Sequence, residues 1–131
     1  LEALRVHFEA NASLPLAVAI DRACEELVAR HARNPALYRW MLTYVPALGQ
    51  HAKIRAIAAH GRALLRDMLG RRRGELDRDL EPALAAMILG SAIEAAVHTA
   101  IFERPETLGD GTLARELGRL CRGYLGVSSD D

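Results

Sequence analysis

LEPALAAMILGSAIEAAVHTAIF, residues 80–102, decides the fold. Within residues 83–102 the only formal charge at neutral pH is Glu94, and the other polar side chains are Ser91, His98 and Thr99. An α-helix that is apolar on nearly every side has to be covered on every side. The stretch is too rich in alanine and too often interrupted by polar groups to read as a bilayer span, which takes about 20 apolar residues. It reads as the core helix of a soluble domain. At roughly 100° per residue, Leu84, Ile88, Ser91, Ala95, His98 and Phe102 share a narrow stripe flanked by Met87 and Glu94, while Ala86, Leu89, Ile93, Val97 and Ala100 lie opposite. Glu94 and His98 are four residues apart, close enough to pair on one side of the helix. A buried carboxylate costs several kcal/mol unless it is paired. The pair is therefore expected to face a ligand cavity, a subunit interface or a wet rim.

Outward from this helix, the composition bounds the rest. A chain of 131 residues, half of them apolar, predicts one domain with a sizeable core. The net charge is zero, so no bulk attraction to nucleic acid follows. The charges are nevertheless segregated: residues 1–74 hold 12 Arg/Lys and 6 Asp/Glu, a balance of +6, and residues 75–131 hold 5 and 11, a balance of −6. Such a split reads as two differently decorated surfaces. Cys24 and Cys121 have neither metal-ligand nor disulfide-framework spacing and read as small core residues. No signal peptide or membrane span is recognised, which predicts a reduced, cytoplasmic setting without a membrane partner. The opening LEALRVHFEA reads as the middle or end of a helix with no cap, so a segment is expected upstream.

Along the chain, residues 1–12 are helix-like, with Leu4, His7 and Phe8 on one side. Ser13 is the expected N-cap of the next helix, with Pro15 in its first turn. That helix carries Leu16, Ile20, Ala23, Cys24, Leu27, Val28 and His31 as one stripe, His31 reading as a helix-end histidine near unpaired carbonyls. Asn34-Pro35 is an N-cap followed by a first helical residue. It opens a short helix with Tyr38, Trp40, Met41 and Tyr44, stopped by Pro46. Residues 48–69 form a long helix with Ile54, Ile57, Ala58, Gly61, Leu64, Leu65 and Met68 inward and Arg55, Arg62 and Arg66 outward. Arg71, Arg72, Arg73 and Gly74 close it, basic side chains matching the negative helix end. Residues 77–79 are an acidic N-cap region for the central helix. The turn-rich ERPETLGDGT follows that helix, Asp110 or Thr112 caps the last one, and residues 128–131 are a frayed tail. No segment alternates with period two. The expected fold is all-α, with about six helices.

Catalytic and metal-binding signatures are missing. There is no H-E-x-x-H, no E-x-x-H, no Cys/His cluster and no glycine-rich phosphate loop. The five histidines lie on different segments. An enzyme is not expected, and neither a metal nor a cofactor is implied. The one arrangement open to acid–base chemistry is Glu94 with His98, which keeps a small helical enzyme as an alternative.

NPALYRWML (residues 34–42), LLRDMLGRR (64–72), DLEPALAAMILGSAIEAAVHTA (79–100) and LARELGRLCRGYLG (113–126) follow one another in an order that resembles the C-terminal domain of the tetracycline-repressor (TetR) family of transcriptional regulators. The resemblance covers nearly the whole chain. It implies a ligand-binding and dimerisation domain, here a single domain over residues 1–131, with a helix-turn-helix DNA reader missing upstream. It further implies that the last two helices of each subunit pair across a two-fold axis as a four-helix bundle. An effector in a helical cavity then shifts the linking helix, and the dimer leaves its operator.

On this sequence the implied interface residues are Leu84, Ile88, Ser91, Ala95 and Phe102, with Leu113, Leu117, Leu120, Tyr124 and Leu125. Gly90 and Ala92 are small enough for close helix approach. The expected cavity residues are Phe8, Tyr38, Trp40, Met41, Tyr44, Leu65, Met68, Glu94 and His98, an adaptable apolar wall with a few orienting polar groups. The expected partners are a second copy of the chain, an apolar or amphipathic small molecule, and operator DNA only through the missing domain. The expected role is that of a repressor. A free-standing helical binding or interaction module is the other alternative.

Overall fold

The computed structural model describes residues 2–49 and 51–128. Leu1, the side chain of Leu4 and residues 129–131 of the expected tail lie outside the described residues. Among the described residues there are seven α-helices: α1 (Glu2–Ala10), α2 (Leu16–Arg33), α3 (Pro35–Tyr44), α4 (His51–Arg71), α5 (Pro82–Glu103), α6 (Glu106–Gly109) and α7 (Thr112–Leu125), with a 3-10 turn at Arg73–Glu75. No strand occurs among the described residues, so the fold is all-α. The helix beyond the expected six is α6, a single turn inside ERPETLGDGT. There Thr107 Oγ1 donates to the Arg104 carbonyl at 2.7 Å, and Thr107 and Leu108 are buried.

Local chemistry sets the helix ends. Asn34 Oδ1 accepts from Leu37 N at 3.0 Å, with Pro35 at the first helical position, as the Asn-Pro pair dictates. Asp110 Oδ1 accepts from Thr112 N at 2.8 Å at the start of α7. Two expected caps are corrected. Ser13 does not cap α2, which begins at Leu16 behind Pro15; the proline disfavours helical geometry at Leu14 and so delays the start. Glu81, rather than residues 77–79, caps α5, accepting from Ala83 N at 2.9 Å and from Leu84 N at 2.8 Å. These two bonds hold the Glu81 carboxyl below its ordinary range. Asp77 closes a local turn instead, accepting from Asp79 N at 3.1 Å. α4 starts at His51 rather than at Leu48, because the turn Pro46–Gly49 is closed by a bond from Gly49 N to the Pro46 carbonyl at 3.1 Å.

Two helix pairs make the body: α2 packs along α7, and α4 packs along α5. The core is drawn mainly from α2 (Leu16, Ile20, Cys24, Val28), α5 (Ala85, Ala86, Leu89, Val97, Ala100, Ile101) and α7 (Ala114, Leu117, Cys121, Leu125). By contrast, α3 supplies no buried residue and α4 only Leu69. On α5 the face carrying Ala86, Leu89, Val97 and Ala100 is the covered one. The opposite stripe of Leu84, Met87, Ile88, Ser91, Ala95 and Phe102 stays exposed. By length and composition α5 would suffice to cross a membrane, but its buried face is built into the helical body.

Glycines allow the closest approaches. A Cβ on Gly90 would stand 2.7 Å from Arg62 Cγ, so the small residue serves the contact with α4 of the same chain rather than an approach between subunits. A Cβ on Gly118 of α7 would stand 2.3 Å from Asp21 Oδ1 of α2. That space is where Asp21 forms its ion pair with Arg122.

Candidate functional site

α2 and α4 face each other across a cavity of about 520 Å³. α2 contributes Ile20, Ala23, Cys24, Leu27, Arg30 and His31 to its wall. α4 contributes Ile54, Ile57, Ala58, Gly61, Arg62, Leu65 and Met68. The floor comes from α5 (Leu89, Gly90, Ile93, Glu94, Val97, His98) and α7 (Cys121, Leu125). α3 adds Leu37, Tyr38, Met41 and Leu42, and α1 adds Phe8. Leu37 and Ile57 are wall residues that remain half exposed, which puts the mouth between α3 and α4.

Polar groups interrupt this apolar wall at two places. At one, Arg62 Nη1 of α4 stands 3.9 Å from Glu94 Oε2 of α5. At the other, the end of α2 meets α3 and α5. The His31 ring stacks on Tyr38 with centroids 4.2 Å apart and lies 6.4 Å from the His98 ring. His31 Nδ1 donates to the Leu27 carbonyl at 2.8 Å, one turn back within α2 rather than to the unpaired carbonyls at its end. Burial pushes both imidazoles below their ordinary value; Glu94 pulls His98 part of the way back. Beside them, Arg30 Nη2 is sealed from solvent and has no hydrogen-bond partner among the described residues. Deeper in, Cys24 and Cys121 are free, buried thiols on facing helices. The neighbouring Cys121 thiol and burial push the Cys24 thiol up, which makes it an inert core group.

The cavity brings together seven of the nine residues expected from sequence: Phe8, Tyr38, Met41, Leu65, Met68, Glu94 and His98. Trp40 and Tyr44 are not in the wall. They are 50% and 53% exposed and stack on each other at 5.8 Å on the outer face of α3, because Tyr38, Met41 and Leu42 already occupy its inner face. Sequence reasoning missed Arg30, His31 and Arg62 as wall residues. Arg62 had been assigned to an outward stripe, although Ala58, Gly61, Arg62 and Leu65 recur at the spacing of one helix face. No signal in the sequence marks Arg30, which sits at the helix end among solvated charges.

A family model described as the tetracycline repressor-like C-terminal domain matches residues 15–125. The chain belongs to this family. No curated protein and no solved structure matches it. As a TetR C-terminal domain, it is the regulatory, ligand-binding unit of a TetR-type regulator. Among the described residues of the TetR domain, no group of three or more His, Cys, Asp or Glu could hold a metal ion.

The residues expected at a TetR subunit interface divide in two. Leu84, Ile88, Ser91, Ala95 and Phe102 of α5 and Leu120 of α7 are exposed, with Leu113 and Tyr124 half-buried beside them. Leu117 and Leu125 are corrected: at 3% and 1% exposure they belong to the domain's own core, on the face of α7 that meets α2. Met87, on the flank of the α5 stripe, joins the exposed set.

Proposed function

We propose that this TetR domain is the effector-binding and homodimerising part of a cytoplasmic transcriptional repressor. An apolar or amphipathic small molecule in the cavity between α2 and α4 releases the dimer from its operator. The cavity carries this reading. Its volume lies within the range of small-molecule sites, and its wall is apolar with a few convergent polar groups. Met41 and Met68 add side chains that adapt to the shape of a guest.

Occupancy acts through the distance between α2 and α4. Phe8 carries the wall into α1, the helix expected to continue toward a DNA-reading domain before residue 1. At the far end of α4, an Arg72 guanidinium donates to the Ala12 carbonyl in the α1–α2 corner. A ligand that binds one spacing of α2 and α4 better than another biases the position of α1 with it. Differential affinity of this kind is what couples effector to operator. The exposed stripe of α5 and the adjoining face of α7 form the two-fold interface, which places two readers at a fixed spacing.

Gly61 supplies the test. A Cβ there meets nothing within 4 Å, and the residue lines the cavity. Gly61→Phe should direct its ring into the cavity and weaken calorimetric binding of apolar ligands while the helical circular dichroism is kept. Ligands that bind the variant as tightly as the parent chain would sink the reading.

A further inference from the structure

Charge in the cavity wall is not balanced. The wall holds two guanidiniums, Arg30 and Arg62, and one carboxylate, Glu94. Glu94 has its counterion in Arg62, 3.9 Å away across α4 and α5. Arg30 has only Glu26, whose Oε1 lies 3.5 Å from Arg30 Nη2 and also 3.5 Å from Arg33 Nη2. One carboxylate between two guanidiniums leaves one positive charge over. The geometry agrees with the count, since Glu26 is too poorly aimed to accept from Arg30 Nη2, and that sealed nitrogen has no other acceptor. A buried donor left unmet costs about 1–3 kcal/mol, more when charged. Arg30 lines the cavity with 24% of its side chain exposed, and an under-paired guanidinium there favours a guest that brings an acceptor.

Resting on the reading of the cavity as an effector site, we infer that the effector is a monoanionic amphiphile, a carboxylic acid. Its carboxylate is taken by Arg30 at the His31 end, and its hydrocarbon part lies along the α2–α4 wall. A carboxylate matches the guanidinium fork and can accept two of its N–H groups. A single negative charge fits an excess of one. A dianionic phosphate would leave a charge uncompensated, a neutral alcohol would satisfy the donor but not the charge, and an ammonium would have to displace Arg62 from Glu94. Beyond this polar end the wall offers Leu27, Ile54, Leu65, Met68, Leu89 and Ile93 to a hydrocarbon chain.

Three probes of one chain length separate the possibilities: decanoate, 1-decanol and decylammonium, titrated calorimetrically into the intact chain. Decanoate is expected to bind about 10- to 100-fold more tightly than decanol, the range for hydrogen bonds to a charged group. Arg30→Gln should erase that preference by weakening decanoate far more than decanol, and Arg30→Lys should keep part of it. Equal affinity for decanoate and decanol, or a preference for decylammonium, would overturn the head-group assignment and leave the cavity reading standing. Undiminished decanoate binding to Gly61→Phe would place the acid on the surface and overturn the assignment. Failure of all three probes to bind would overturn the cavity reading together with it.

Discussion

Gly90 makes room for Arg62: a Cβ on this α5 residue would lie 2.7 Å from Arg62 Cγ, so the arginine reaches Glu94 only because α5 has no side chain there. Two effects of opposite sign follow for Gly90→Ala. Helix propensity gains about 1 kcal/mol, while overpacking costs about 1–3 kcal/mol. The substitution is expected to destabilise the chain by about 1 kcal/mol in urea unfolding. In an Arg62→Ala background the clash is gone, and the same change should stabilise by about 1 kcal/mol. Additive effects in the double variant would contradict the contact.

The exposed α5 stripe leads to a prediction about assembly. Ser91→Arg or Ala95→Arg places a charge in the centre of the proposed interface. Desolvating an unpaired ion costs several kcal/mol. Dimer association is expected to weaken more than about 100-fold, read as a halved mass by sedimentation with the helical circular dichroism intact. Leu117→Arg should behave differently and lose the fold, since Leu117 is buried against α2 within one chain. An undisturbed mass in both stripe variants would move the interface elsewhere.

Trp40 predicts a silence. Its ring is exposed and stacked on Tyr44 outside the wall, so filling the cavity should leave its emission nearly unchanged. Met41 does line the wall. Trp40→Phe combined with Met41→Trp should therefore give emission that shifts to shorter wavelength when a ligand displaces water. A strong response from Trp40 itself in the parent chain would mean that α3 rotates on binding.

Stability should depend on pH in a defined direction. Burial holds His31 and His98 below the ordinary value of 6.5, so the unfolded chain takes up protons at a pH where the folded chain does not. Stability then rises with pH. It should be fully present above 6.5, fall as pH drops through that value, and level off below the folded-state values. Glu81, Glu106 and Asp110 are held below their ordinary values of 4.5, 4.5 and 3.8, and act only in a lower window. Urea midpoints at pH 7.5 and 5.5 should converge in a His31→Phe, His98→Phe variant. An equal drop in parent and variant would assign the effect to other groups.

The all-α class, the helix order and most of the core were legible in the sequence because they rest on periodicity, which survives without coordinates. The Leu16–Val28 stripe is an example, whereas on α5 periodicity separates two faces without saying which one is covered. The cavity was legible as a set of aromatic and Met residues on α3 and α4, but the rotation of α3 was not. Tyr38 and Trp40 are two apart, so an α-helix must send them to different sides, and nothing local says which side faces in. Arg62 was misread for a different reason. An arginine among arginines reads as solvated until a carboxylate 32 positions on is known to oppose it. For Leu117 and Leu125, an apolar stripe on α7 cannot announce whether α2 or a second copy covers it.

Anchoring is uneven across the cavity. α2, α5 and α7 hold the buried cluster, while α3 has no buried residue and α4 only Leu69. Amide hydrogens on the two sides should therefore exchange on separate schedules, with α3 and the first turns of α4 opening well below the energy of global unfolding. The mouth lies between these two helices, so a guest would enter through the part of the molecule that loosens first. Its arrival would be recorded as slowed exchange in α3 and α4, with the amides of α2, α5 and α7 scarcely altered.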